Sequence, residues 1–307
     1  MYNVPILFII FKRKDVALRT LESIKAAKPS KLYIAGDGAR SNVSGEAEKV
    51  ETTRQAVLAA IDWECEVKTR LSEKNQGCAN GVYNAINWLF DNEDRGIVIE
   101  DDCVMQSCFF KFTEELLEKY KDDNRIGMIC GANYAANTSI PDSYVFSRYK
   151  SCHGWATWKR AWKLMDMEMS WRKSPYSESV IGNMGYRSKD KHYWKYRLKA
   201  IDLNDVSAWD WQWYFTLAAN NMLAIIPKYT LTTNIGFGKD ATHTTSHATK
   251  QYISTKSLEF PLQHPRYVVP YEPFENAFYK GNNNLLNGIK QLIPFKIKHI
   301  IKNIIRS

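Results

Sequence analysis

The chain has 307 residues, 45% of them hydrophobic and 24% charged, an ordinary globular composition with ample material for a core in one large domain or two modest ones. Its net charge is +9, yet no acid follows Glu275 while Lys280, Lys290, Lys296, Lys298, Lys302 and Arg306 do, so the tail supplies six of those charges and the body only +3. No broad basic face is required by that sum, and nucleic acid is not an expected partner.

In chain order, the first apolar run is VPILFIIF, only eight residues before Lys12-Arg13-Lys14. It is too short to span a membrane and lacks the basic flank of a signal segment, so it reads as a strand. Apolar, β-branched runs follow at 32–35, 65–69, 97–99 and 126–130, and between them lie helical patterns at 16–27, 46–61, 79–90 and 109–121. This alternation predicts a parallel α/β sheet covered on both faces. Ligands of such sheets bind beyond the carboxyl ends of the strands, and three strand ends carry suitable residues: Phe11-Lys12-Arg13, Gly36-Asp37-Gly38 and Glu100-Asp101-Asp102.

The second half is Trp-rich, with SCHGWATWKRAW and WDWQWYF, helical patterns at 193–201 and 210–219, and a Gly/Thr/His loop NIGFGKDATHTTSHA. No Pro/Ser linker or internal repeat divides it from the first half, so residues 1–285 are expected to form one continuous unit with two halves, 1–103 and 104–285. The six cysteines have neither CxxC nor Cys/His spacing, which argues against zinc and reads as reduced thiols of a cytoplasmic chain. Residues 288–307 form a basic amphipathic tail. Ile297, Ile300, Ile301, Ile304 and Ile305 repeat at helical spacing opposite Lys298, Lys302 and Arg306. Such a helix would lie on an anionic membrane surface at the inner face of the cell membrane, or dock on the body.

Three adjacent acids at a strand end repel one another and demand a positive neighbour, either a bound cation or Lys/Arg. A hard divalent cation such as Mn²⁺ or Mg²⁺ suits carboxylate oxygens and keeps positions open for phosphate. The plain alternative is that these acids cap the helix that follows, or pair with Lys. Asp210, set among Trp209, Trp211 and Trp213, would have its pKa raised by that aromatic wall and become a better base; alternatively it caps the helix it begins.

The pattern GIVIEDDC with FF.F..ELLEKY, preceded by RLSEKNQGCANGVYNAINWLF and followed by CHGWATWKRAW, resembles metal-dependent glycosyltransferases of the GT-A fold, in particular a bacterial group similar to the N-acetylglucosaminyltransferase I family. The resemblance runs from about residue 4 to 247, and its specific part is 70–102. It implies a GT-A fold, a Rossmann-like, mostly parallel sheet flanked by helices with a Trp-rich acceptor side. It further implies that Arg13 reaches the nucleotide diphosphate, that Asp37 accepts a hydrogen bond from uracil, and that Asn75 and Gly77 lie in a loop under the donor. Asp102 would be the direct metal ligand, with Glu100 and Asp101 nearer the ribose and sugar. Trp209-Asp210 resembles the pair that presents the catalytic base. His243, with His247 four residues on, would add a late metal ligand, where water or a plain polar loop are the alternatives. His153-Gly154-Trp155 and Trp158 could form an acceptor platform, although Trp155, Trp158 and Trp162 equally suit a helix core stripe, leaving Trp155 as the residue for stacking.

The expected activity is inverting transfer from a UDP-sugar to a saccharide acceptor, possibly lipid-linked, in bacterial surface-polysaccharide assembly. A sugar nucleotidyltransferase is one rival, but FKRKDV after the first strand lacks the Gly-rich phosphate loop it needs. A saccharide-binding protein without catalysis is the other.

Overall fold

The computed structural model describes residues 2–135, 138–185, 187–203, 209–236 and 255–282. The loop holding His243 and His247 and the tail 288–307 lie outside the described residues. Among the described residues no helix is long and apolar enough to cross a membrane.

The first half alternates as the hydrophobic runs require. Strands β1 (Ile6–Ile10), β2 (Lys31–Gly36), β3 (Glu66–Leu71) and β4 (Arg95–Glu100) are separated by helices α1 (Lys14–Lys25), α2 (Glu46–Ala59) and α3 (Cys78–Asn92). After a short strand β5 (Cys103–Met105) and helix α4 (Ser107–Lys119) come β6 (Ile126–Cys130), β7 (Tyr144–Ser147) and β8 (Trp155–Trp158). Helices α5 (Lys159–Trp162), α6 (Ser177–Gly182), α7 (Ser188–Asp202) and α8 (Asp210–Ala219), strands β9 (Leu223–Pro227) and β10 (Thr232–Asn234), and helix α9 (Glu272–Asn282) complete the order.

Eight strands form one sheet in the order β3-β2-β1-β4-β8-β6-β9-β7. The β3-β2-β1-β4 block is parallel, β8 runs against both neighbours, and β7 pairs antiparallel with β9 at the far edge. This is the mostly parallel α/β sheet flanked by helices that the alternating pattern predicts. Strands from both halves of the chain share it. Side chains alternate across it. Ile6, Phe8, Ile34, Ile97 and Ile99 pack with α1 and α4 residues on one face, while Leu7, Tyr33 and Val98 pack with α3 and the Trp cluster on the other. Because both faces are buried, the strands read as continuous apolar runs rather than alternating ones.

One expectation fails here. Trp155 and Trp158 belong to a strand, not a helical stripe, and only a single helical turn follows them. Spacing alone could not exclude the helix; hydrogen bonding to β4 and β6 on both sides decides for a strand. Gly154 turns the chain into it at φ +65°, a left-handed conformation costly for residues with a Cβ.

The apolar run after the acids is explained by a second, two-stranded sheet. Immediately past Glu100-Asp101-Asp102 the chain leaves the main sheet, and β5 pairs antiparallel with β10, Thr232 opposite Met105 and Asn234 opposite Cys103. The triplet therefore sits at the junction of two sheets, at the carboxyl edge of the parallel block.

Candidate active site

The positive neighbour demanded by the acids is Arg13. It lies just before α1, past the end of β1, and the β1–β4 register sets Ile9 opposite Glu100. One Arg13 Nη atom donates to both Asp101 and Asp102, the latter at 3.0 Å. The Thr20 hydroxyl of α1 donates to the Asp101 carbonyl at 2.8 Å, which locks helix and triplet together. Asp101 is 5% exposed, and among the described residues its Oδ2 makes no hydrogen bond. Burial, offset in part by Arg13, pushes its carboxyl up to about 6. Glu100 is pushed up to about 8, by burial first and then by the charges of Asp102 and Asp101.

Asp102 keeps 18% of its side chain exposed. Its Oδ1 accepts from Asn234 Nδ2 at 3.2 Å. Gly236 passes so close that a Cβ there would run into the Asp102 carboxylate. A cation could be held here by a hard oxygen donor: Asp102, the partly exposed member of the triplet, fits Mn²⁺ or Mg²⁺. Among the described residues no three His, Cys, Asp or Glu converge into a protein cage. The donor set thus fits an ion whose remaining shell comes from a diphosphate and water.

Asp37 ends β2 and turns to the loop before α3. Its Oδ1 accepts the backbone N–H groups of Gly38 (2.9 Å) and Gln76 (2.8 Å), and its Oδ2 accepts Asn75 Nδ2 and the Gly77 N–H, both at 3.0 Å. A carboxylate has about four acceptor sites, and this loop takes all of them. The contact to uracil expected of Asp37 would therefore have to displace one of these donors; in this structure Asp37 organises the loop that contains Asn75 and Gly77. Gly77 adopts φ +79°, ψ 157° at the entrance to α3, a conformation open essentially to glycine alone.

Asp210 is the first residue of α8, Trp209 holds the N-cap position, and no side chain caps the helix. Asp210 therefore sits one residue inside the cap position, with its carboxylate still facing backbone N–H groups of the first turn. Burial pushes the Asp210 carboxyl up to about 6, while the backbone N–H groups of Trp211 and of Asp210 itself, and the Arg197 charge, pull it down. Tertiary structure brings it across to the triplet. The Cys78 thiol, at the start of α3, is pushed up to about 12 by burial and then by the charges of Glu100, Asp210, Asp37 and Asp102, so all four carboxylates act on that helix start.

Trp155 and Trp209 must be corrected as acceptor platforms. They are 0% and 4% exposed, and they stack on each other at 5.8 Å between centroids. With Trp162 and Trp213 they form the apolar wall behind Asp210, because rings this large are more favourably buried than left at the cleft. His153, which the sequence placed with them, is instead exposed and feels the charge of Asp102. Its Nδ1 pairs with the Tyr134 hydroxyl, and its carbonyl accepts from Thr232 Oγ1 at 2.9 Å. Tyr134 and Asn234 carried no sequence signal; both reach the site through long-range pairing.

No family model matches the chain, and no curated protein does. Among solved structures, the mannosyltransferase PcManGT from Pyrobaculum calidifontis, in complex with GDP-Man and Mn²⁺, is similar at 11% identity over 71% of this chain and 70% of its own, with TM-score 0.36. Mouse xyloside xylosyltransferase 1 follows at 11% identity, 72% and 83% coverage and TM-score 0.35. A Bacillus anthracis protein described as a glucose-1-phosphate thymidylyltransferase has 9% identity, 63% and 83% coverage and TM-score 0.31. Likenesses this weak carry no argument about activity.

Proposed function

We propose that the chain is an inverting GT-A glycosyltransferase that moves a sugar from a UDP-sugar to a saccharide acceptor. The observation that carries this reading is the approach of Asp210 to the acidic triplet at the carboxyl edge of the parallel strands: Trp209 beside it stacks on Trp155 of β8, which pairs with β4, the strand that ends at Glu100. A lone acid with a raised pKa opposite an acidic triplet suits proton removal on one side and diphosphate handling on the other.

In this mechanism Asp210 takes the proton from the acceptor hydroxyl as that oxygen attacks the anomeric carbon, and the bond to the diphosphate breaks on the opposite face. A pKa pushed up to about 6 keeps Asp210 ionised at neutral pH yet makes it more basic than an exposed carboxylate. Mn²⁺ or Mg²⁺ bound at Asp102 would neutralise charge on the departing diphosphate. Arg13 adds a fixed positive charge beside it while holding Asp101 and Asp102 in place. Asp37 fixes the loop 72–77 on which the donor rests, with Asn75 and Gly77 in it. Glu100 and Asp101 line the sugar and ribose side. His243 is kept as a candidate metal ligand on the strength of the sequence alone. The basic amphipathic tail would hold the enzyme at an anionic membrane surface, where a lipid-linked acceptor of surface-polysaccharide assembly is found.

Calorimetry with UDP, with and without Mn²⁺, tests the donor side. Wild type is expected to bind UDP only with the ion, and Asp102→Ala to lose that binding. Unchanged affinity in the variant removes the metal assignment. A nucleotidyltransferase would instead release pyrophosphate from UTP and a sugar phosphate, and wild type is expected not to.

A further inference from the structure

Arg197 stands one helix away from Asp210 and is used by nothing described so far. Its guanidinium lies over the Tyr193 ring, one turn earlier on α7, and over the Trp211 ring of α8, at 4.8 Å from each centroid. Two aromatic faces thus clamp it, an arrangement that fixes a guanidinium in place without neutralising it. No carboxylate pairs with it among the described residues, whereas nearby Arg172 is bidentate to Asp202 and Arg148 is paired with Glu275. Among the described residues its buried Nε has no acceptor. Among the described residues Arg197 is thus a planar cation held rigidly with no anion paired to it, an arrangement suited to receive one.

The surroundings reinforce this. On the same helix Lys189, Lys191, Lys195 and Lys199 are exposed. Its two acids are already engaged, Asp190 by the Tyr149 hydroxyl at 2.8 Å and Asp202 by Arg172. Lys195 is paired with Glu178 of α6, and Lys189, Lys191 and Lys199 leave helix α7 with an excess of positive charge. Arg197 rests on the ring of Trp211, the residue that follows Asp210 on α8, which sets the cation beside the first turn of that helix.

We propose that Arg197 recognises an anionic group, phosphate or carboxylate, on the acceptor saccharide, and so holds its hydroxyl at Asp210. The substrate class is an acidic or phosphate-bearing saccharide. The acceptor role rests on the glycosyltransferase reading; the anion site itself does not.

The test uses the full chain labelled with ¹⁵N, reading the Arg197 Nε–H resonance, which Arg197→Lys identifies by its disappearance. Glucose 1-phosphate, glucuronate and methyl glucoside are titrated without donor. A saturable shift with glucose 1-phosphate assigns a phosphate, one with glucuronate a carboxylate, and methyl glucoside is expected to give none. By calorimetry, Arg197→Met, which still fills the slot between the rings, should bind the anion about tenfold or more weaker, the loss of a charge-assisted pair. UDP with Mn²⁺ should leave the anion in place. The proposal is overturned if neither anion gives a saturable shift, if methyl glucoside shifts the signal equally, if Arg197→Met binds as wild type, or if UDP displaces the anion. Anion binding by a protein that binds no nucleotide sugar would remove the transferase reading and leave the Arg197 site standing.

Discussion

Replacing Asp210 by Asn should stabilise the protein and disable it. The carboxyl is pushed from 3.8 to about 6 in the folded chain, mainly by burial against the indole wall. Two pKa units correspond to about 3 kcal/mol, the cost of keeping this carboxylate ionised in the fold. Because the folded pKa is the higher one, the folded state binds the proton more tightly than the unfolded chain does. The resulting stability is fully present below the unfolded pKa of 3.8 and is lost as pH rises through about 6. Wild type carries the cost at pH 8 and is relieved of it near pH 4; the amide carries it at neither. Urea unfolding should therefore show Asp210→Asn more stable at pH 8 by up to about 3 kcal/mol, with the gain shrinking toward zero near pH 4. Turnover, followed as UDP release, should fall by a factor on the order of 10²–10⁴, and wild-type kcat/KM should rise with pH through about 6. A variant less stable than wild type at pH 8 refutes the buried-charge argument. A variant retaining more than about a tenth of the rate refutes the base assignment, and the two results are independent.

Arg13→Ala strips the counter-charge from Asp101 and Asp102 and should cost about 3–5 kcal/mol in urea unfolding, as expected for breaking an enclosed ion pair; a loss under about 1 kcal/mol would mean that the pair is screened like a surface bridge. Asp37→Ala removes the acceptor of four donors, so amide exchange at Gln76 and Gly77 should accelerate and UDP affinity should fall; unchanged exchange would show that the loop holds itself. In Gly236→Ala the new methyl must push the Asp102 carboxylate aside, so Mn²⁺-dependent UDP binding should weaken while the Thr20–Asp101 bond and overall stability are largely kept; equal affinity would show that Asp102 can turn without loss. The full chain should float with anionic liposomes at low salt and a chain cut after Asn287 should not, each basic residue near the surface contributing about 1 kcal/mol; equal flotation of both removes the membrane anchor.

The alternation of strands and helices in the first half was legible because β1, β2 and β4 are buried on both faces, which leaves an unbroken apolar signature, while the edge strand β3 is largely exposed and shows only a mixed one. The acids Glu100-Asp101-Asp102 and the lone carboxylate of Asp210 were legible as chemistry too, since charge beside a strand end or among indoles is costly and stands out. What the triplet pairs with was not. Arg13 is 88 residues away from Asp101, and only the parallel pairing of β1 with β4 makes them neighbours. The same holds for Asp37, whose role depends on donors about 40 residues downstream. The indoles show the limit most clearly. Spacing of Trp155, Trp158 and Trp162 suits a helix, yet hydrogen bonds to β4 and β6 make the first two a central strand and bury Trp155 completely. Local sequence determines which residues are apolar, charged or free to turn; which face of a ring meets the core, and which cation meets an acid, is decided by register between strands that are distant in the chain.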